Sequence, residues 1–377
     1  MYKLKIIIGC LVVVLVFSCK DLYKPDVISS PNSYLVVEGV LNAGSGPTSI
    51  RLSRTFKLDD TASLRGERNA QVVVEGKDNS AIPLTMTADG IYSSPGLNLT
   101  INNEYRLRIK TTNGKEYLSD YVIARDTPPI DSIGWTENEK GVQIYVNTHD
   151  PSNNTRYYRW DFDETWEIRS YYFSAFKYEN DTVIPRPPTD NVTHCWKYDI
   201  SNSILIGSSA RLSSDIIYRA PLFFFNRGDE KLAERYSILL RQYALDKQGY
   251  EFYEMMKKNS ESLGSIFDAQ PSEQKGNIKS VSDPAELVVG YVSSSVIREK
   301  RIFINNSQLT RWYYAQDCPE IQVRNHPDSI RDAYQGGGSI YEAIYANSGP
   351  ITYYKFSRIQ CVECQSRGGS NVRPSYW

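Results

Sequence analysis

Histidine is nearly missing from this chain. Only His149, His194 and His326 occur among 377 residues, and none forms a helical metal pair of the H-E-x-x-H kind. No G-x-S-x-G elbow, P-loop or G-x-G-x-x-G is present. The recognisable hydrolase nucleophile and the recognisable phosphate cradles are therefore excluded. The run Gly336-Gly337-Gly338-Ser339 lacks the strand-to-helix setting that a cradle needs. No Lys/Arg-rich run appears and the formal charge is −1, so nucleic acid is not an expected partner. Beyond the N-terminus no apolar run approaches the roughly 20 residues of a membrane-spanning helix. No cofactor motif remains, and none is expected.

What is present starts at residue 1. Lys3 and Lys5 precede an apolar run from Ile6 to Phe17, which ends in Val16-Phe17-Ser18-Cys19 before Lys20-Asp21. At about 12 residues the run is too short to span a bilayer well but long enough for a signal peptide. Residues 1–18 are expected to be that signal peptide, closed by a lipobox-like Cys19. Cleavage would leave Cys19 at the new N-terminus. Its acylation would supply more than the single chain that binds only marginally. Ile7-Ile8-Gly9-Cys10 is a second lipobox-like sequence, but its apolar lead is too short, so Cys10 reads as an ordinary residue of the apolar run. Lys20, where an Asp would favour inner-membrane retention, points to the outer membrane. The expected location is therefore the outer membrane, lipid-anchored, on its periplasmic face or at the cell surface.

The remaining chain reads as mostly β, with room for two or three domains. Tyrosine is abundant, at 28 against 12 Phe, which suits strands of an exported protein. The alternative is an aromatic surface for sugars or peptides. Residues 19–32 form a polar tether. From 33 to 127, β-branched runs such as Leu35-Val36-Val37 and Gln71-Val72-Val73-Val74 alternate with turns. Tyr105, Leu107 and Ile109 alternate with Arg106, Arg108 and Lys110, as a half-buried strand should. This pattern predicts an immunoglobulin-like β-sandwich. Thr127-Pro128-Pro129 closes it as a stiff linker.

A second β-rich, sandwich-like domain is expected over 130–304. Within it, Tyr158, Trp160, Phe162, Trp166 and Ile168 share one strand face, interrupted by Glu164. Arg159, Asp161, Asp163, Thr165, Glu167 and Arg169 share the other. Tyr236 to Leu245 reads as a strand, and Asp246 as the cap of a helical insertion over about 247–263. Residues 305–377 read as a loop-rich tail packed on this domain.

Apart from Cys10 and Cys19, the cysteines are Cys195, Cys318, Cys361 and Cys364. Four in an exported chain point to two disulfides. Cys361 and Cys364 are too close to bond each other readily, so their expected partners are Cys195 and Cys318. A zinc site made of four cysteines would need a second close pair, and a thioredoxin-like site would need its C-x-x-C at a helix start early in the fold. No metal site is expected. His194 beside Cys195 falls on the opposite strand face, which speaks against a catalytic pair. Asp161, Asp163, Glu164 and Glu167 carry two weaker readings: a calcium site without its turn glycine, or a glycosidase pair without a carboxyl marked for a raised pKa. Charged strand surface is the simpler reading. Trp377 is expected to pack.

Several stretches together resemble a Bacteroidota lipoprotein family, domain of unknown function 4249. They are Tyr34-Leu35-Val36-Val37-Glu38-Gly39, Cys195-Trp196, the run from Tyr236 to Leu245, Ser265 to Ser272, Gly276-Asn277-Ile278, and Glu299 to Ile304. The ending Cys361-Val362-Glu363-Cys364, Arg367-Gly368-Gly369 and Pro374-Ser375-Tyr376-Trp377 belongs with them. The resemblance implies an outer-membrane or surface lipoprotein of two β domains, often encoded beside a TonB-dependent receptor. It brings no catalytic residues. The expected function is a non-catalytic binding subunit of a TonB-dependent nutrient-uptake system. Alternatives are a structural or adhesive envelope protein, and a surface glycan or peptide hydrolase.

Overall fold

The computed structural model describes residues 33–56, 65–261, 276–347 and 349–377. Cys19, the signal peptide, the tether 19–32 and the stretch Ser265 to Ser272 lie outside the described residues. The protein is mostly β, with few helices. Among the described residues no helix is long and apolar enough to cross a membrane.

The first β body is one twelve-stranded sheet that folds over itself and nearly closes. Period-2 patterning explains it. Tyr105, Leu107 and Ile109 are buried with Leu35, Val37, Ile50, Leu52, Val72 and Val74. On the wet face Arg106 and Arg108 pair with Glu75 of the neighbouring strand. Burying the apolar face of each strand is the main stabilising term, at about 25 cal/mol per Å2.

Three of its strands come from far along the chain. Ile278–Ser280 pairs with Glu116–Ser119, while Val288–Val289 and Ser293–Ser295 pair in parallel with Leu35–Asn42. These strands fall inside the range expected for the second domain, 130–304. That range is corrected accordingly: Pro128-Pro129 marks where the chain first leaves the first body, and residues 276–296 return to it. The physical reason is edge pairing. Leu35–Asn42 and Glu116–Ser119 would otherwise expose rows of unpaired backbone groups. Gly290 permits the close approach. Its φ is +139°, and a Cβ there would lie 2.1 Å from the Val37 carbonyl oxygen. Glu286 locks the same segment. It accepts from Lys115 Nζ and Tyr117 Oη, both at 2.9 Å.

The second body packs two sheets face to face. One holds Ile130–Asn138, Gly141–His149 and Ile216–Asn226; the other is built on Tyr157–Arg169, flanked by Arg235–Leu245 and His194–Ile200. Val142, Ile144 and Val146 meet Tyr158, Trp160, Phe162, Ile238 and Leu240 in the core. The Pro128-Pro129 linker is docked onto this body. Gln242 Nε2 donates to the Pro128 carbonyl at 2.8 Å and to Thr148 Oγ1 at 3.0 Å. The helical insertion is Lys247–Glu261, and Asp246 Oδ1 caps it by accepting from the Gly249 N–H at 2.7 Å. Its expected end near 263 lies outside the described residues.

The tail has more regular structure than its composition announces. Ile321–Arg324, Ile351–Arg358 and Gly338–Tyr345 make a three-stranded sheet, with the helix Pro327–Gln335 against it. Val323, Ile330, Ile340, Tyr354 and Phe356 form a small core of their own. The glycine run is the helix stop. The Gly336 N–H donates to the Asp332 carbonyl, and Gly337, at φ +81°, turns the chain into the next strand.

Candidate functional site

The long strand Tyr157–Arg169 has the two faces that its sequence predicts. Tyr158, Trp160, Phe162, Trp166 and Ile168 point into the core, and Glu164 is buried beside them. A buried carboxylate is costly unless paired and hydrogen-bonded. Glu164 is both: Tyr236 Oη donates to it at 2.6 Å and Lys231 Nζ forms an ion pair with it. Burial, followed by the Glu164 charge, raises the Tyr236 hydroxyl well above its ordinary pKa. Burial alone would lower the Lys231 ammonium, but Glu164 outweighs it and the pKa rises.

On the outer face, Arg241 stands directly opposite Asp161. It takes Asp161 through Nε and grips Asp163 with both terminal nitrogens, at 2.8 and 2.7 Å. This fork geometry is specific to Arg and carboxylate. Asp163, with Asp161 beside it, raises the Arg241 pKa. Glu167 meets His194 Nδ1 at 2.7 Å. The four candidate carboxylates thus serve three separate pairings and do not converge. Among the described residues no group of three or more His, Cys, Asp or Glu is placed to hold a metal ion.

A cleft of about 450 Å3 opens beside this paired face. Its walls are the helix residues Phe252, Tyr253 and Met256 and the first body's Val36–Gly39 and Val289–Tyr291. Its floor carries Arg159, Asp161 and Arg241. Arg159 is held between two rings, 4.2 Å from the Tyr243 centroid and 5.1 Å from that of Tyr253. Its Nη2 reaches Asp161 at only 3.3 Å, and its buried Nε has no partner among the described residues. A planar cation flanked by aromatic rings suits recognition of a flat or anionic group. Among the described residues no nucleophile with an adjacent base lines the cleft. In sequence Arg159 is legible only as an outward residue, and Arg241 only as part of the strand Tyr236 to Leu245. Their roles depend on cross-strand register, which local pattern does not carry.

The cysteines form two disulfides, Cys195–Cys364 and Cys318–Cys361. The close pair splits between the two distant partners, as expected. Cys195 is fully buried, while His194 turns to the other face and is bound to Glu167. The chain end is docked. Trp377 packs edge-on against Phe303, at 5.5 Å between ring centroids, and Trp196, at 6.4 Å. Tyr376 Oη lies 2.7 Å from Thr165 Oγ1, beneath the Arg301 guanidinium. Ser370 exchanges two backbone hydrogen bonds with Trp196, which covers part of a sheet edge.

No curated protein matches this chain. The pattern of the family described as Domain of unknown function (DUF4249) matches residues 20–301, which include every described strand of the first body and end within the strand Arg298–Asn305 of the second. Most of the chain is covered, and the residues that carry the sequence resemblance up to Arg301 fall inside the match. The chain belongs to the DUF4249 family.

Proposed function

We propose that this protein is a lipid-anchored outer-membrane binding module, without turnover of its own, that works beside a TonB-dependent receptor in nutrient uptake. The observation that carries the binding reading is the outer sheet face. Asp161 and Asp163 are both held by Arg241, and Glu167 is paired with His194, while an open cleft with an aromatic-flanked arginine lies alongside. Carboxylate oxygens already taken up by a guanidinium or an imidazole are poorly placed to reach a substrate proton. The anchoring reading is supported by Lys3, Lys5, the short apolar run and Cys19. The receptor reading is supported by the family resemblance alone.

The test is affinity purification of the tagged protein from envelopes in mild detergent, alongside nutrient uptake in a deletion strain. A co-purifying barrel receptor and reduced uptake are expected. Recovery as a lone monomer with unchanged uptake contradicts the proposal. Attachment or envelope-integrity defects without an uptake defect would assign a structural role instead. Turnover on a glycan or peptide panel, lost in Asp161→Asn or Asp163→Asn, would overturn the non-catalytic reading.

A further inference from the structure

A second cleft lies at the other end of the same sheet, where the tail crosses the second body. Its volume is about 400 Å3, within the roughly 300–1,000 Å3 of small-ligand sites. Tyr171, Phe173 and Tyr313 line it and stay 55%, 76% and 71% exposed. Large rings left this bare, gathered round one hollow, are informative in a way that scattered apolar residues are not. Tyr171 is braced from behind. It packs edge-on against Tyr172, which stacks on Tyr341 at 4.0 Å and donates to the Cys318 carbonyl at 3.0 Å. The Tyr172 N–H donates to the Cys361 carbonyl. The Cys318–Cys361 disulfide therefore fixes the wall of the cleft in advance of any ligand.

The cleft also contains Glu234 and Arg169. Neither side chain has a hydrogen-bond or ion-pair partner among the described residues, whereas the neighbouring Arg367, which donates to the Arg169 carbonyl, is paired with Glu230. Burial pushes the Glu234 carboxyl above its ordinary pKa, partly offset by the charge of Arg169. The two groups balance in charge and leave both acceptors and donors unfilled.

We propose that this cleft, lined by Tyr171, Phe173 and Tyr313 with Glu234 and Arg169 as its polar groups, binds a neutral carbohydrate. Sugar rings present C–H faces to aromatic rings and hydroxyls to a carboxylate and a guanidinium, so each kind of group here has a complement. A cationic ligand would face Arg169, and an anionic one Glu234. A membrane surface would call for clustered Lys and Arg, which the cleft lacks among the described residues. The inference goes beyond the proposed function and stands or fails independently of anchor and receptor.

The experiment is titration of the mature full chain in detergent with maltohexaose, cellohexaose, xylohexaose and mannohexaose, read by tyrosine and tryptophan fluorescence and saturation-transfer NMR. Hexagalacturonate and a Lys/Arg-bearing peptide are the charged comparisons. At least one neutral hexasaccharide is expected to saturate below about 10 mM. Tyr313→Ala and Phe173→Ala should each weaken it about tenfold or more, the scale of one lost stacked ring. Tyr313→Phe should retain binding, and Glu234→Gln should weaken it less than ring removal does. Tyr218→Ala, an equally exposed ring outside the cleft, should change nothing. Melting curves confirm that the variants fold, since the rings they remove are exposed. Absence of binding by every neutral sugar overturns the proposal. So does binding that survives the Phe173→Ala/Tyr313→Ala double variant, or binding of only the peptide or the uronate.

Discussion

The first body and the tail solve the same problem by different means. Both must fix chain segments that are distant in sequence. The first body recruits Ile278–Ser280, Val288–Val289 and Ser293–Ser295 through backbone ladders and the Glu286 cluster, with no disulfide among its described residues. The tail has only five buried apolar residues in its own described core and is held by both disulfides. A large, nearly closed sheet offers many edge hydrogen bonds to a returning segment. A small three-stranded layer buries too little apolar area to hold itself, and covalent staples supply the difference. The second cleft is built where those staples act, so rigidity there has a use beyond stability.

The sharpest way to break this contrast is to remove a staple. Replacing Cys195 and Cys364 together by Ser should destabilise the tail by about 3–4 kcal/mol. Replacing Cys318 and Cys361 should cost roughly 1 kcal/mol less from chain entropy, because the closed loop spans 43 residues and not 169. Hydrogen exchange should show lost protection over 321–358 while Leu35–Asn42 stays protected. Equal loss in both regions would mean that the two bodies are not independent in this respect.

A smaller effect is expected inside the second body. Lys231→Met leaves the Glu164 carboxylate buried with Tyr236 as its remaining partner. The cost should be about 2–3 kcal/mol, below that of a fully buried pair because Lys231 is partly exposed. Chemical denaturation measures it, and a neutral result would show that Glu164 is solvated after all.

The smallest effect sharpens the other side of the comparison. Burial opposes ionisation of Glu286, but Lys115 and Tyr117 hold its pKa below the ordinary value. A depressed carboxylate stabilises the fold above its unfolded pKa, and this contribution is lost as pH falls through the folded value. Wild type should therefore exceed Glu286→Gln in melting temperature at pH 6, by less than the Lys231→Met effect, with the gap narrowing as pH falls below the ordinary glutamate range. A gap that does not narrow on acidification would contradict the linkage.

These contrasts also mark what the sequence could reveal. The two faces of Tyr157–Arg169 were legible, down to Glu164 as the polar interruption of the apolar face. So was the division of Cys361 and Cys364 between the two distant cysteines, from cysteine number and spacing, but not which of them bonds to which. The return of residues 276–296 to the first body was not, because a parallel pairing of Val288 with Leu35 leaves no trace in local periodicity. The tail sheet was missed for a related reason. Ile321–Arg324 is short, and Gly336-Gly337-Gly338 reads as loop until its helix is seen. The two clefts were illegible because each gathers residues from several segments. Arg159 needs Tyr253 to flank it, and Glu234 needs Tyr171 and Tyr313 around it.

The anchored state is the claim on which the proposed function rests, and intact-mass analysis of the membrane-fraction protein tests it most directly. The expected chain begins at Cys19 and carries acyl mass on that residue, with Cys19→Ala released from the outer-membrane fraction. An unmodified N-terminus at another residue, or outer-membrane retention of Cys19→Ala, would contradict it.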